Sequence, residues 1–274
     1  MVESARLHER LPKKEFQGIR TVITSVLPKQ VEVFLSKKNQ RSTDVDLLIH
    51  FLGADYVVQN AMENYRGSVA AALVNLGAGS KVFGDAFEDT TKFLELVDSI
   101  KASLHADVHH QIHFRKIILS GFSAGYGSIR RIMSLESNYR MINGVLLLDG
   151  IHAGYIPDRK VLAEGGIVDS TDLSIFGKLA EDATRKNSQK RFLITHSEIF
   201  PGTYASTTES TDYLLRKLQI KRKPVLRWGA LGMQQLSEAK KNHFAVMGFA
   251  GNTAPDHVDH LQALSYFLNL LSKL

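Results

Sequence analysis

The stretch that most restricts what this chain can fold into runs from residue 114 to 133. There an apolar run, Ile117-Ile118-Leu119, enters Gly121-Phe122-Ser123-Ala124-Gly125, and a helix-compatible segment leaves it. The order is strand, sharp turn, helix, with a serine at the apex in the spacing G-x-S-x-G. The spacing has a steric reason. A serine held in a strained turn between strand and helix draws neighbouring backbone close, so positions two before and two after tolerate only small side chains. Such a turn lifts the Ser123 hydroxyl above a sheet edge and aims the first free N–H groups of the next helix beside it. A tight β-to-α turn with an idle serine would have the same sequence.

The rest of the chain supplies the sheet that such a turn needs. Ile19 to Leu27 and Val31 to Leu35 are β-rich and flank Pro28-Lys29-Gln30, the pattern of an antiparallel hairpin. Val45 to Phe51, Ala70 to Leu76, Gly144 to Leu148, Arg191 to Glu198 and Phe244 to Phe249 are near-continuous apolar runs, as expected of strands buried on both faces. Between them lie helical patterns at 85–105, 173–185, 207–218 and 257–271. Strands separated by helices argue for a mostly parallel sheet of about eight strands, covered on both faces. No repeat or linker divides the chain. The reading is one domain over residues 18–274, preceded by a polar, peripheral segment, residues 1–17.

Composition narrows the function classes. The 274 residues are 44% hydrophobic and 23% charged, ordinary for a globular protein with a sizeable core. The formal net charge of +6 comes from scattered lysines and arginines, without a basic run interleaved with aromatics, which argues against nucleic-acid binding. The absence of cysteine excludes disulfides, thiolate catalysis and cysteine zinc sites. No apolar stretch approaches the length of a membrane span, and the charged N-terminus lacks the apolar core of a secretion signal. A cytoplasmic protein and a secreted one with its signal removed both fit. Of the 11 histidines, four cluster at His105, His109, His110 and His113, in a linker before a strand and without surrounding carboxylates. That pattern is expected of surface residues rather than metal ligands.

A serine hydroxyl is a poor nucleophile until a base takes its proton and a third group orients that base. In this architecture reactive groups collect beyond the carboxyl ends of the strands. That criterion selects His50, His152, His196 and His257. Thr253-Ala-Pro-Asp256 reads as a capping signal that puts His257 in the first turn of the last helix, with His260 one turn on as the alternative base. Two acids end strands after the serine, Asp149 and Glu198. Asp149 is preferred because it ends its strand directly and is short, whereas Glu198 carries a longer, less fixed side chain. The oxyanion of acyl transfer needs preorganised donors. The Ala124 N–H is one candidate, and Leu52 or Gly53, after the strand ending in His50-Phe51, could offer the other. Tyr56, His152, Tyr155, His196 and Tyr204 suggest a polar pocket. The hydroxyl-rich stretch from Glu198 to Glu209 reads as a loop with a helix cap, and secondarily as a groove wall.

With Gly121-Phe-Ser123-Ala-Gly125, the order serine, acid, histidine, and His50-Phe-Leu-Gly53 as a degenerate His-Gly motif, the chain resembles the α/β-hydrolase family from about residue 18 onward. The resemblance implies a single-domain α/β-hydrolase fold with a mainly parallel eight-stranded sheet. It implies Ser123 as nucleophile, His257 as base, and Ala124 and Leu52 as oxyanion donors, although the family more often takes its acid from the later strand, where Glu198 lies. Phe51 stands where the family usually has glycine. The expected activity is that of a serine hydrolase, foremost a carboxylic ester hydrolase with an acyl-enzyme on Ser123 and Asp149 as the orienting acid. The alternatives are a peptidase of the same fold and a non-catalytic binding protein. The reading calls for no cofactor and no metal. The partner is a small-molecule or polymer-linked acyl substrate.

Overall fold

The structure, a computed structural model, describes residues 11, 12 and 14–274. Its frame is one large sheet built from β1 (Gly18–Ile23), β2 (Val31–Ser36), β3 (Asp44–Phe51), β4 (Val69–Val74), β5 (His113–Phe122) and β6 (Ile142–Leu148). A separate two-stranded ribbon, β7 (Tyr155–Ile156) with β8 (Ile167–Val168), follows in the chain. Strands β9 (Arg191–His196), β10 (Lys223–Trp228), β11 (Gln234–Lys241) and β12 (Phe244–Phe249) complete the large sheet. Its order is β1-β2-β4-β3-β5-β6-β9-β12-β11-β10, ten strands among the described residues. The centre, from β4 through β12, is parallel. Both margins are antiparallel, including the expected β1–β2 hairpin.

The parallel strands are apolar throughout because each of their faces is covered. Leu47, Ile49, Val145, Leu147, Phe192 and Ile194 point into one core. The intervening Leu48, Leu146, Leu148 and Leu193 point into the other. The first core is closed by α3 (Lys92–Val108), α4 (Tyr126–Met133), α6 (Ser174–Ala183) and α7 (Thr207–Lys217). The second is closed by α1 (Asp55–Asn64) and α9 (Leu264–Leu271). Short helices α2 (Ser80–Asp85) and α5 (Glu136–Met141) flank α4, and α8 (Ala254–Gln262) leads into α9. The chain folds as a single α/β domain around this sheet.

The structure differs from the expectation at several points, among them the helices α1 and α5 and the β7–β8 ribbon, which no apolar pattern announced. The sheet has ten strands rather than eight. The two added strands, β10 and β11, form an outer margin whose residues are largely exposed or half-buried, so no buried apolar run announces them. The helix expected over 257–271 is two helices meeting at Ala263, and that expected over 85–105 starts only at Lys92, after the separate α2. Residues 1–10 and 13 of the segment expected to be peripheral lie outside the described residues, while Phe16 packs edge-on against Phe34. Among the described residues no helix is long and apolar enough to cross a membrane.

Candidate active site

The turn after β5 shows why its sequence is spaced as it is. Ser123 opens a 3₁₀ turn, Ser123–Gly125, with φ of +48°, a conformation non-glycine residues rarely adopt. A Cβ on Gly125 would lie 2.3 Å from the Phe51 carbonyl oxygen at the end of β3, and one on Gly121 would lie 3.0 Å from the Gly125 carbonyl carbon. Gly150, just after β6, is held the same way: a Cβ there would meet the Ser123 carbonyl oxygen at 2.2 Å. Three strand ends therefore close on one point, and the serine sits at it.

Asp149 follows β6 directly, is buried, and accepts a 2.7 Å hydrogen bond from His257 Nδ1. Its carboxylate also accepts from the Ser197 hydroxyl at 2.6 Å and the Ser197 N–H at 3.0 Å. Burial works against the charged form, yet the imidazoles of His260 and His257 and the bonds from His257 and Ser197 hold this carboxyl well below the usual range. His260 is itself kept neutral at pH 7, its pKa lowered to about 4 by burial, so around neutrality the hydrogen bonds carry the effect. With Nδ1 donating to the carboxylate, His257 Nε2 is left as an acceptor. The His257 ring lies 4.4 Å, centroid to centroid, from that of Phe122. The capping box that starts α8 is present, Thr253 and Asp256 bonding reciprocally, and it sets where His257 leaves the helix.

Ser123, Asp149 and His257 line one cavity of about 310 Å³, with His152, Ile199, Pro201, Tyr204 and Thr207 among the other walls. A second cavity of about 430 Å³ adjoins it at Ser123, lined by Ala124, Gly79, Tyr126, Arg130, His152 and Asp172, among others. His152 and Tyr204 belong to both. The His152 Nδ1–H donates to the Ala205 carbonyl at 3.0 Å, and its ring stands edge-on between Tyr126 and Tyr204. Burial lowers its pKa, so it is a neutral acceptor at Nε2.

The other sequence candidates lie elsewhere. Glu198 is exposed; its backbone N–H donates to the Gly251 carbonyl, its carboxylate accepts from the Gly251 N–H at 3.4 Å, and the residue lines a separate cavity with Arg222. His260 is hydrogen-bonded to Thr195 Oγ1 at 2.8 Å and packed against Phe249 and Phe267, away from both serine cavities. His196 accepts from Arg222 at 2.8 Å, and His50 is buried against Ser120. Tyr155 donates to Glu209 and Tyr56 accepts from Gln262, and neither is among the residues lining the two serine cavities. The histidine cluster before β5 is bound up in local bonds: His105 and His110 both bond backbone carbonyls, and His109 caps α3 with a left-handed φ. Among the described residues no group of three or more His, Cys, Asp or Glu side chains is arranged to hold a metal ion.

One expectation is corrected. The Leu52 N–H is not free to meet an oxyanion, because it donates to the Val74 carbonyl at 3.0 Å and so continues the β3–β4 ladder. The Gly53 N–H is also engaged, by Asn75 Oδ1 at 3.0 Å. Ala124, at the start of a helical turn, keeps an N–H with no intrahelical carbonyl before it. Two residues went unnoticed in the sequence. Ser197, which fixes Asp149, was signalled only by its place at the end of an apolar strand. Arg130 is one of the scattered basic residues, and nothing in the sequence sets it apart.

No family model and no curated protein sequence matches the chain. Solved structures of similar shape do exist. A structure of fungal esterases from Rhizomucor miehei has a TM-score of 0.52 and 15% identity, with 97% of this chain and 85% of that one covered. The feruloyl esterase module from Clostridium thermocellum, complexed with sinapinate, has a TM-score of 0.52 and 10% identity over 97% of this chain and 93% of that one. Carboxyl esterase 2 from the mycorrhizal fungus Tuber melanosporum has 0.52 and 12%, covering 97% and 89%. The chain has the α/β-hydrolase fold.

Proposed function

We propose that the protein is a serine hydrolase that cleaves carboxylic esters through an acyl-enzyme on Ser123. The observation behind this reading is the 2.7 Å bond from His257 to the buried Asp149, facing the cavity that Ser123 also lines. Ser123 Oγ attacks the ester carbonyl carbon and gives its proton to His257 Nε2, while Asp149 holds the ring in the tautomer that can accept it. The carbonyl oxygen, now an oxyanion, is met by the Ala124 N–H. As the tetrahedral intermediate collapses, the C–O bond breaks and the alcohol leaves with the proton from His257. Water then attacks the acyl-serine by the same route, releasing the acid and restoring Ser123. The similarity of shape to esterases supports an ester over other acyl bonds.

The test is labelling by a fluorophosphonate probe together with a series of p-nitrophenyl esters of increasing chain length. Wild-type protein should be labelled and turn over esters, and Ser123→Ala should lose both, with kcat/KM down by about 10³-fold or more. Wild-type protein that stays unlabelled would instead be a binding protein with an idle serine, and labelling with cleavage of peptides but not esters would make it a peptidase.

A further inference from the structure

We propose that the cavity on the Ala124 side of Ser123 is an acyl subsite for a carboxylate-bearing acyl group, read by the guanidinium of Arg130; this rests on the ester-hydrolase reading above. The two cavities divide the substrate between them. His257 must hand its proton to the leaving alcohol, so the alcohol occupies the cavity that His257 lines. The oxyanion takes the Ala124 N–H and the alcohol takes the His257 cavity, which leaves the second cavity beside Ser123 for the acyl substituent.

Arg130 is held in that cavity from two directions. Its Nη1 donates to Asp172 Oδ1 at 2.7 Å, and its guanidinium carbon lies 5.7 Å from the centroid of the Tyr126 ring, four residues back on the same face of α4. Asp172 is itself anchored, its Oδ2 accepting from the Gly154 N–H at 2.8 Å. Both oxygens of the one acid lining the cavity thus have donors, whereas Nε and Nη2 of Arg130 have no acceptor among the described residues. A planar fork fixed in place with donors to spare is the geometry that binds a carboxylate. A surface ion pair needs no such anchoring, and the Arg130 side chain as a whole is about one-third exposed (34%).

Reach sets the length of the acyl chain. Arg130 stands seven positions after Ser123, across the 3₁₀ turn and the first turn of α4, about 10 Å at helical rise, and a helical side chain leans back toward the N-terminus. A straight dicarboxylic half-ester of about six carbons spans what remains. The Tyr126, His152 and Tyr204 rings would flank its methylenes.

The experiment compares p-nitrophenyl hexanoate, p-nitrophenyl methyl adipate and p-nitrophenyl hydrogen adipate on wild-type protein, Arg130→Lys and Arg130→Met. Wild type should favour the hydrogen adipate over its methyl ester by about tenfold or more in kcat/KM, mainly through KM. The preference should shrink in Arg130→Lys and fall to about one in Arg130→Met. Because each ratio is measured within one preparation, partial misfolding cancels. Turnover of hexanoate without preference for the anionic ester, or a preference that survives in Arg130→Met, would overturn the subsite. If no ester is turned over, the hydrolase reading fails first. Ligand-observed NMR of adipate then decides on the subsite alone, supported by saturable binding lost in Arg130→Met and overturned by no binding.

Discussion

At the scale of single residues, the site is assembled from strained strand ends. Three neighbouring parallel strands, β3, β5 and β6, are each followed or closed by a non-glycine residue in the left-handed region: Leu52 at +66°, Ser123 at +48° and Asp149 at +45°. Each such conformation costs about 1–3 kcal/mol and persists only where the surroundings over-determine it. Around Ser123 and Asp149 that surrounding is the contact of Gly125 with Phe51 and of Gly150 with Ser123, together with the three hydrogen bonds on the Asp149 carboxylate. The bonds give Asp149 a position that Glu198, exposed and lining another cavity, does not have. Asp149→Asn should therefore lower kcat/KM by about 10³–10⁴-fold, since an amide at that place can favour the wrong imidazole tautomer. Glu198→Gln should change it less than about threefold. Kinetics on the two purified variants, side by side, check this, and the reverse order would move the acid to the end of β9. The placement of Asp149 at the end of a buried strand was legible in the sequence, because an acid directly after an apolar run has little freedom. The engagement of Leu52 and Gly53 was not, because it depends on the Val74 carbonyl and on Asn75, residues more than twenty positions away that only the β3–β4 pairing brings near.

At the scale of elements, what the sequence discloses depends on burial. The central strands carry continuous apolar runs because helices cover both faces, and β3, β4, β6, β9 and β12 were readable with boundaries near those observed, whereas β5 starts at His113, four residues before its apolar run and with its first residues largely exposed. β10 and β11 were not readable: Lys-Pro-Val-Leu-Arg-Trp and Gln-Gln-Leu-Ser-Glu-Ala-Lys-Lys lie at the margin, where one or both faces meet water and the apolar signal vanishes. The break between α8 and α9 was masked by an apolar stripe that runs through both. The start of α8, by contrast, was legible from a local signal, since a capping box needs only residues three apart. That cap also sets the position of His257, which is the fourth residue of the helix and whose N–H donates to the Thr253 carbonyl at 3.1 Å. Thr253→Ala should cost about 1 kcal/mol of stability. It should also lower kcat/KM several-fold while leaving KM for a short ester nearly unchanged, because it loosens His257, the proposed base, rather than the cavities. A melting curve and initial rates on one preparation test both halves. Lost stability with unaltered kcat would mean that the bond from Asp149 alone is enough to place the ring.

For the whole molecule, the consequence that reaches furthest is the number of histidines buried without charge. His50 and His260 both have their pKa lowered to about 4, chiefly by burial, and burial also lowers those of His152 and His196. The structure gives a reason: the Nε2 atoms of His50 and His260 are buried and have no hydrogen-bond partner among the described residues, and at His50 burial outweighs the backbone of Leu52, which favours the charged ring. In the unfolded chain a histidine titrates near about 6.5. Between that value and about 4 the unfolded state therefore binds more protons than the native one, and stability rises with pH across the window. Put the other way, the full contribution is present above about pH 6.5 and is lost as the pH falls toward 4. At about pH 5 the loss is about 2 kcal/mol for each of His50 and His260, a large share of the stability of an ordinary domain. Asp149, held below the usual carboxylate range, adds a loss of the same sign at still lower pH. Urea denaturation at about pH 7.5 and about pH 5 should show the midpoint falling sharply at the lower value with little change in m. His260→Leu should be less stable than wild type at the higher pH, since Thr195 loses its partner, yet show a shallower dependence between the two because one titrating site is gone. Equal midpoints at the two pH values, or a slope untouched by the substitution, would mean that these rings take up protons in the folded protein as readily as in the unfolded one.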